Sequence, residues 1–147
     1  INAKGDLKVD IHHTNEDIGI VLGLAIKKAL GDKKGIKRFG SSSVPMEEVV
    51  ANVVIDISGR PTYTLLCDKP NSVVKSSDGY ALKDAGHFFE GLAKQLGMNI
   101  NIKISPVSSD LHTTLEPVFK ALGVALDQAT RVDPRRKGIP STKGIID

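Results

Sequence analysis

The stretch HHTNEDIGIVLGLAIKKAL, residues 12–30, recurs 100 residues further along the chain as HTTLEPVFKALGVALDQAT, residues 112–130. Each copy opens with histidine and carries a glutamate at the matching place, Glu16 or Glu116. Apolar residues then follow at intervals of three and four, which predicts one amphipathic helix per copy. Chance similarity of two amphipathic helices is the alternative, but the matched leucine–glycine and alanine positions favour a repeat.

Between the copies, the hydrophobic pattern changes from the helical period to alternation and back. The predicted elements are a strand at 49–57, its hairpin partner at 62–67, a helix at 81–96 that ends at Gly97, and a strand at 98–104. The loop at 69–79 carries a candidate short strand at Val73 and Val74, and residues 1–10 are predicted to be the remnant of a strand equivalent to 98–104. The predicted fold class is α/β, in the form of a two-layer α+β tandem pseudo-repeat of sheet-plus-two-helix units.

This repeat predicts the domain organisation. Residues 1–34 would hold the C-terminal strand and helix of the first repeat, and residues 35–147 the second repeat with a basic C-terminal tail. Counted from the offset, about 60 residues of the second copy have no counterpart in the first. We therefore expect most of the first repeat to precede Ile1 in the full protein.

The composition limits the classes of function. The chain of 147 residues is 40% hydrophobic and 25% charged, and no apolar run is long enough to span a bilayer, so no membrane partner is expected. Aromatic residues make up only 4% and the basic residues are scattered, which argues against nucleic acid as a partner. The net charge of +3 fits a small anionic ligand as well as it fits a polyanion. The single cysteine, Cys67, is compatible with the cytoplasm.

The helix starts predict a metal site. Residues three and four apart share a helix face, so Glu16 neighbours His12 and His13, and Glu116 neighbours His112. Imidazole with carboxylate suits manganese, iron or zinc, although one helix cannot complete an octahedral shell. The alternative is that such histidines cap or pack, which is the simpler interpretation of a histidine taken alone, as with His87. Packing does not require histidine and glutamate at matched places in both copies, so the recurrence favours metal binding.

A second group of residues is predicted to bind an anion. Its basic or hydroxyl side chains lie in or near polar loops: Arg38, Arg60, Lys120, Arg135, Arg136, Ser141 and Lys143. Taken singly, each charged residue of this group is more simply interpreted as a solvated surface charge. SGRP (58–61) and PSTKG (140–144) are more informative, because their turns expose charged side chains and backbone amides together, as phosphate recognition requires.

Together, GDLKVDIHHTNEDIGIVLG (5–23), KGIKRFG (34–40), DISGRP (56–61), HFF (87–89), EPVFKALGVAL (116–126) and DPRRKGIPSTKG (133–144) resemble the imidazoleglycerol-phosphate dehydratase family of histidine biosynthesis. The resemblance implies two pseudo-symmetric repeats and a trimer-based homo-oligomer of up to 24 copies. It also implies two Mn²⁺ sites at subunit contacts and a small phosphorylated imidazole, imidazole glycerol phosphate, as substrate. The reaction implied is its dehydration to imidazole acetol phosphate.

The resemblance also implies roles for individual residues. Glu16 and Glu116 would move protons while the substrate imidazole binds the metal as an imidazolate. The implied metal ligands are His12, His13, Glu16, His87, His112 and Glu116. The implied phosphate-binding residues are Arg38, Arg60, Lys120, Ser141 and Lys143.

The chain departs from the family pattern at several places. Thr113 stands where the family has the second histidine of its second motif, so one metal site is expected to be weakened. The segment LKDAG (82–86) and Glu47 also differ from the family, and the region before Ile1 would contribute a further histidine and carboxylate. A non-catalytic homologue that keeps the fold, the oligomer surfaces and partial ligand binding therefore stays open beside the metal-dependent, cytoplasmic hydro-lyase.

Overall fold

The computed structural model describes residues 1–68 and 73–146. Three helices and four strands follow one another along this part of the chain. In chain order they are α1 (His12–Leu30), β1 (Phe39–Met46), β2 (Val49–Asp56), β3 (Thr62–Cys67), α2 (Leu82–Leu96), β4 (Asn99–Ser105) and α3 (Leu111–Thr130). The predicted α+β class is confirmed, and the two copies of the repeat form α1 and α3.

The strands form one sheet in the order β1-β2-β4-β3. β1 and β2 form an antiparallel hairpin in which Met46 faces Val49, and β2 is also antiparallel to β4. β3 is parallel to β4. The prediction that 62–67 is the hairpin partner of 49–57 is therefore wrong, because β4 lies between them and α2 provides the crossover that a parallel pair requires.

Two other features differ from the sequence-based expectations. The strand β1 was not predicted, because its serine-rich sequence FGSSSVPM has few of the branched and aromatic residues typical of strands, namely Val44 and Phe39. Residues 1–10 form no strand and contain only a turn at 7–9, and Val73 and Val74 belong to no strand either. A strand requires a neighbour to receive its hydrogen bonds, and none pairs with these residues.

Part of the predicted loop, residues 69–72, lies outside the described residues. The predicted domain division between residues 34 and 35 stays a prediction.

The core lies between one face of the sheet and two helices. Alternate residues of β2 and β4 are almost fully buried against α2 and α3, as with Val53 at 0% and Ile102 at 1% exposure. α3 packs on β1 and β2, with Val118 and Ala125 both fully buried. This packing fixes α3 along the sheet and places its first turn, with His112, beside the end of β4.

α1 has a different environment, because it packs along α2 and not on the sheet. Glycines make the approach close: a Cβ on Gly19 would overlap the carbonyl oxygen of Phe88, and one on Gly23 would lie 2.8 Å from the carbonyl oxygen of Leu92. The outward side of α1 keeps apolar residues at the surface, and Val21 is 63% exposed. No helix among residues 1–68 and 73–146 has the length and apolar character required to cross a membrane.

Candidate active site

The first histidine motif begins α1 and borders a cleft of about 740 Å³, the first cleft, which His12, His87, Asp10 and Asp84 help to line. The rings of His12 and His87 lie with their centroids 4.1 Å apart. The His12 Nε2 atom is 3.6 Å from Oε2 of Glu16, as their i,i+4 spacing predicts. The structure thus brings three of the predicted ligands together at one end of the helix pair.

Asp10 orients the start of this motif and was missed by the sequence reasoning. Its Oδ1 atom accepts hydrogen bonds from the His12 backbone N–H and from His13 Nδ1, both at 2.9 Å. The hydrogen bond from His13 lowers the pKa of the Asp10 carboxyl. Because the ionised carboxylate only accepts, Nδ1 of His13 donates this hydrogen bond, and Nε2 is the ring nitrogen left to face a ligand, as in many metal-ligating histidines. The i,i+3 spacing of Asp10 and His13 is the signal that identifies this pair in the sequence.

The second histidine motif begins α3 and borders a shallower second cleft, of about 440 Å³, lined by residues that include His112, Glu116 and Phe119. Both oxygens of Glu116 have partners: Oε2 lies 2.8 Å from His112 Nε2, and Oε1 pairs with the Lys120 ammonium. Lys120 and then His112 lower the pKa of Glu116. The second motif is thus a chain of paired side chains near the surface, in which Glu116 lies between His112 and Lys120.

Thr113, which stands at the place that matches His13 in the repeat, is buried at 6% exposure. Its backbone N–H donates to Asp110 Oδ2 at 2.7 Å, which caps α3. A hydroxyl in this position is turned into the protein, so position 113 offers no ligand to the second cleft.

The two clefts do not merge within one chain. Consecutive residues of one loop separate them, since Ser76 and Asp78 line the first cleft and Ser77 lines the second. Across residues 1–68 and 73–146, no group of three or more histidine, cysteine, aspartate or glutamate side chains is arranged to hold a metal ion. Of the predicted ligands, His12 and His87 line the first cleft and His112 and Glu116 line the second. His13 lines neither, because it faces a separate pocket of about 600 Å³ that is formed with residues 1–6.

Most of the predicted phosphate-binding residues lie at the opposite end of the sheet, which we call the tail end. Arg38 is the centre of this region. Its Nη1 atom donates to the carbonyl oxygen of Pro140 at 2.8 Å, which places the tail residues Ser141 and Lys143 beside it. The backbone N–H of Ile57 donates to the Arg38 carbonyl oxygen at 3.1 Å, which brings the turn with Arg60 close.

Lys120 is not part of the tail end. The Arg38 backbone N–H donates to the carbonyl oxygen of Ala129 at 2.8 Å, and Lys120 lies nine residues earlier on α3. At the helical rise this separates them by about 14 Å along the axis. The ion pair of its ammonium with Glu116 places the Lys120 side chain with the second histidine motif of its own chain.

A carboxylate that the sequence reasoning missed controls the Arg38 side chain. Asp56 accepts two hydrogen bonds, from Nε to Oδ1 at 2.6 Å and from Nη2 to Oδ2 at 3.0 Å. This bidentate hydrogen bonding raises the pKa of the Arg38 guanidinium. Only the register of β1 and β2, which pairs Asp56 with Phe39, brings the two side chains together, so the sequence alone gives no signal for them.

Two solved structures share the fold. The imidazoleglycerol-phosphate dehydratase of Staphylococcus aureus matches with a TM-score of 0.77 at 30% identity, over 90% of this chain and 72% of that chain. The enzyme of Pyrococcus furiosus, solved in complex with (S)-C348, matches with a TM-score of 0.78 at 34% identity, over 97% of this chain and 73% of that chain. The fold and the paired histidine–glutamate helix starts place the chain in the class of hydro-lyases.

The family follows from the sequence comparisons. The imidazoleglycerol-phosphate dehydratase family model matches residues 1–126. The protein of that name from Bacillus subtilis is 52% identical over 146 residues, which cover 99% of this chain and 73% of the relative, and that of Geobacillus thermodenitrificans is 50% identical over the same shares. The chain belongs to the imidazoleglycerol-phosphate dehydratase family.

Proposed function

We propose that the chain catalyses the Mn²⁺-dependent dehydration of imidazole glycerol phosphate to imidazole acetol phosphate in histidine biosynthesis. The observation that carries the proposal is the family match across both histidine–glutamate helix starts. The first motif keeps its full donor set, and the tail end keeps its cationic and hydroxyl groups.

The donor types at the helix starts fit Mn²⁺, but their number within one chain does not complete a site. Imidazole nitrogen and carboxylate oxygen are suitable ligands for this ion. His12, Glu16 and His87 would supply one partial set, His112 with Glu116 a second, weaker set, and His13 a single donor at the separate pocket that it lines. We infer that a neighbouring copy supplies the remaining donors, in a trimer-based homo-oligomer of up to 24 copies.

The position of the proposed phosphate-binding residues favours the same assembly. The tail end and the histidine end lie at opposite ends of a sheet whose strand β2 has eight residues. Eight residues of strand span about 26 Å, which is longer than the substrate. Arg38, Arg60, Ser141 and Lys143 of one copy would therefore bind the phosphate of a substrate whose imidazole lies at the histidines of another, where Lys120 adds a further cation.

The chemistry removes a carbon-bound hydrogen and the hydroxyl group of the neighbouring carbon. One glutamate, Glu16 or Glu116, accepts the proton as the carbon–carbon double bond forms, and the hydroxyl leaves as water after it receives a proton from a second acid. The resulting enol tautomerises to the ketone. A bound divalent ion would act as a Lewis acid towards the imidazole and would hold it in position. Cationic groups on the phosphate fix the distance between the reacting carbon and the carboxylate.

A non-catalytic homologue is the second candidate, and the burial of Thr113 favours it. Such a protein would keep the fold and bind metal or phosphate without turnover. A cytoplasmic location is part of both candidates, in keeping with the free thiol of Cys67.

The test measures bound Mn²⁺ per chain and the release of water from the substrate. We expect His12→Ala to remove tight Mn²⁺ binding and turnover, because the variant loses a nitrogen donor from the more complete set. Lys27→Ala, an exposed change in the last turn of the same helix, is the matched control and should alter neither. Chelation should also reduce the particle size of the parent protein in light scattering. A folded, Mn²⁺-loaded parent without turnover would reject the enzyme in favour of the non-catalytic homologue.

A further inference from the structure

Three hydrogen bonds fix the guanidinium of Arg38. Two go to the Asp56 carboxylate at 2.6 and 3.0 Å, and one goes from Nη1 to the Pro140 carbonyl oxygen at 2.8 Å. The side chain of Arg38 is only 15% exposed, and that of Asp56 is 27% exposed. Such limited exposure reduces the screening of their attraction by water. A guanidinium has five N–H donors, so two remain, one on each terminal nitrogen.

The backbone of Arg38 is held as well. Its φ of 76° lies in the left-handed region, which a residue with a side chain rarely adopts. The N–H donates to Ala129 at the end of α3, and the carbonyl oxygen accepts from Ile57 just after β2. The end of α3, the turn after β2 and the tail thus meet at one residue, and the Asp56 carboxylate sets where the guanidinium of that residue points.

We propose that Asp56 is a positioning residue, which holds the Arg38 guanidinium with its two remaining N–H groups directed to the phosphate and fastens the tail through Pro140. The inference rests on the proposed function, in which Arg38 binds the substrate phosphate. Asp56 itself touches no substrate. Its action is to select one orientation of a long side chain before the ligand arrives, which lowers the entropy lost on binding.

A purely electrostatic role for Asp56 predicts the opposite effect. A carboxylate beside the guanidinium reduces the positive potential that attracts the phosphate dianion, so its neutralisation alone would tighten binding. In the positioning role, neutralisation weakens binding because the guanidinium loses its fixed orientation. The sign of the change therefore separates the two roles.

The experiment compares parent and Asp56→Asn in the full chain, with inorganic phosphate as probe in calorimetry and imidazole glycerol phosphate as substrate in steady-state kinetics. We expect phosphate affinity to fall and KM to rise by about tenfold, the effect of one charge-assisted hydrogen bond, while kcat changes by less than about twofold. Asp127→Asn removes an exposed carboxylate of α3, which pairs with Arg131 just after the helix, and is the matched control, with unchanged KM.

The outcomes distinguish this inference from the proposed function. If the parent turns over substrate but Asp56→Asn binds phosphate equally well or more tightly, Asp56 does not position Arg38, even when the variant loses thermal stability. If the parent binds phosphate without turnover, the proposed function fails, and the affinity of the variant for phosphate still decides the role of Asp56. If Asp56→Asn does not fold, Asp56→Glu keeps the charge but displaces the carboxylate by one methylene, and it should weaken phosphate binding in the same direction. An unchanged affinity in Asp56→Glu would overturn the inference.

Discussion

α1 and α3 share a sequence pattern but not an environment. Val118 and Ala125 of α3 are fully buried against the sheet. Their counterparts on α1, Ile18 and Ala25, are partly or largely exposed, because α1 packs on α2 alone. The amphipathic pattern of α1 is thus that of a helix packed on a sheet, although no strand of residues 1–68 and 73–146 covers it. An apolar stripe shows that a helix is suited to a partner, and only the packing shows which partner it has.

The first turns of the two helices differ in a related way. Asp10 and Asp110 occupy matching places in the repeat. Asp10 binds the imidazole of His13, whereas Asp110 caps α3 through the backbone N–H of Thr113. The difference between His13 and Thr113, which occupy matching places in the repeat, therefore accompanies a change from a carboxylate that orients a ring to one that stabilises a helix end.

The largest expected effect is on stability. Leu122→Ala should reduce the free energy of unfolding by about 3 kcal/mol, because Leu122 fills the core between α3 and the sheet. Leu22→Ala, at the matching place on the less covered α1, should cost only about 1 kcal/mol. Denaturant unfolding of both variants measures the difference. Equal losses would show that the face of α1 is covered as well as that of α3.

An intermediate effect is expected on metal affinity. Asp10→Asn should weaken Mn²⁺ binding by about tenfold, because the carboxylate that orients His13, a proposed ligand, is lost. Asp110→Asn should leave the affinity unchanged, since its carboxylate contacts a backbone amide and no imidazole. Calorimetric titration with Mn²⁺ provides the measurement. A similar loss in both variants would contradict the different roles of the two aspartates.

The smallest expected effect depends on pH. Hydrogen bonds from Thr113 lower the pKa of Asp110 below its ordinary value of 3.8. A lowered folded-state pKa contributes stability above the ordinary value, and this contribution is lost as the pH falls through the lowered one. Asp110→Ala should therefore unfold at a lower temperature than the parent at neutral pH. The gap between the two unfolding temperatures should narrow when the pH falls below 3.8, the ordinary pKa of the carboxyl. A gap that stays constant with pH would exclude a charged cap.

The sequence predicted the elements in which apolar residues recur at the helical or the alternating period. The predicted bounds of α1 match the structure, and those of α2 and α3 each differ by one residue at the start. It failed at β1, whose serine-rich sequence becomes a strand because β2 offers hydrogen bonds along its edge. It also failed at residues 1–10, where alternation without a neighbouring strand gives no sheet.

The contacts of the candidate site also divide into those that the sequence predicts and those that depend on the tertiary structure. The His12–Glu16 and His112–Glu116 pairs follow from the sequence, because four residues bring side chains together on any helix. The ring contact of His12 with His87 joins different elements, as does the hydrogen bonding of Arg38 to Asp56, so only the tertiary structure decides them. Local spacing fixes what lies within one turn of a helix, whereas helix packing and strand register decide which distant side chains meet.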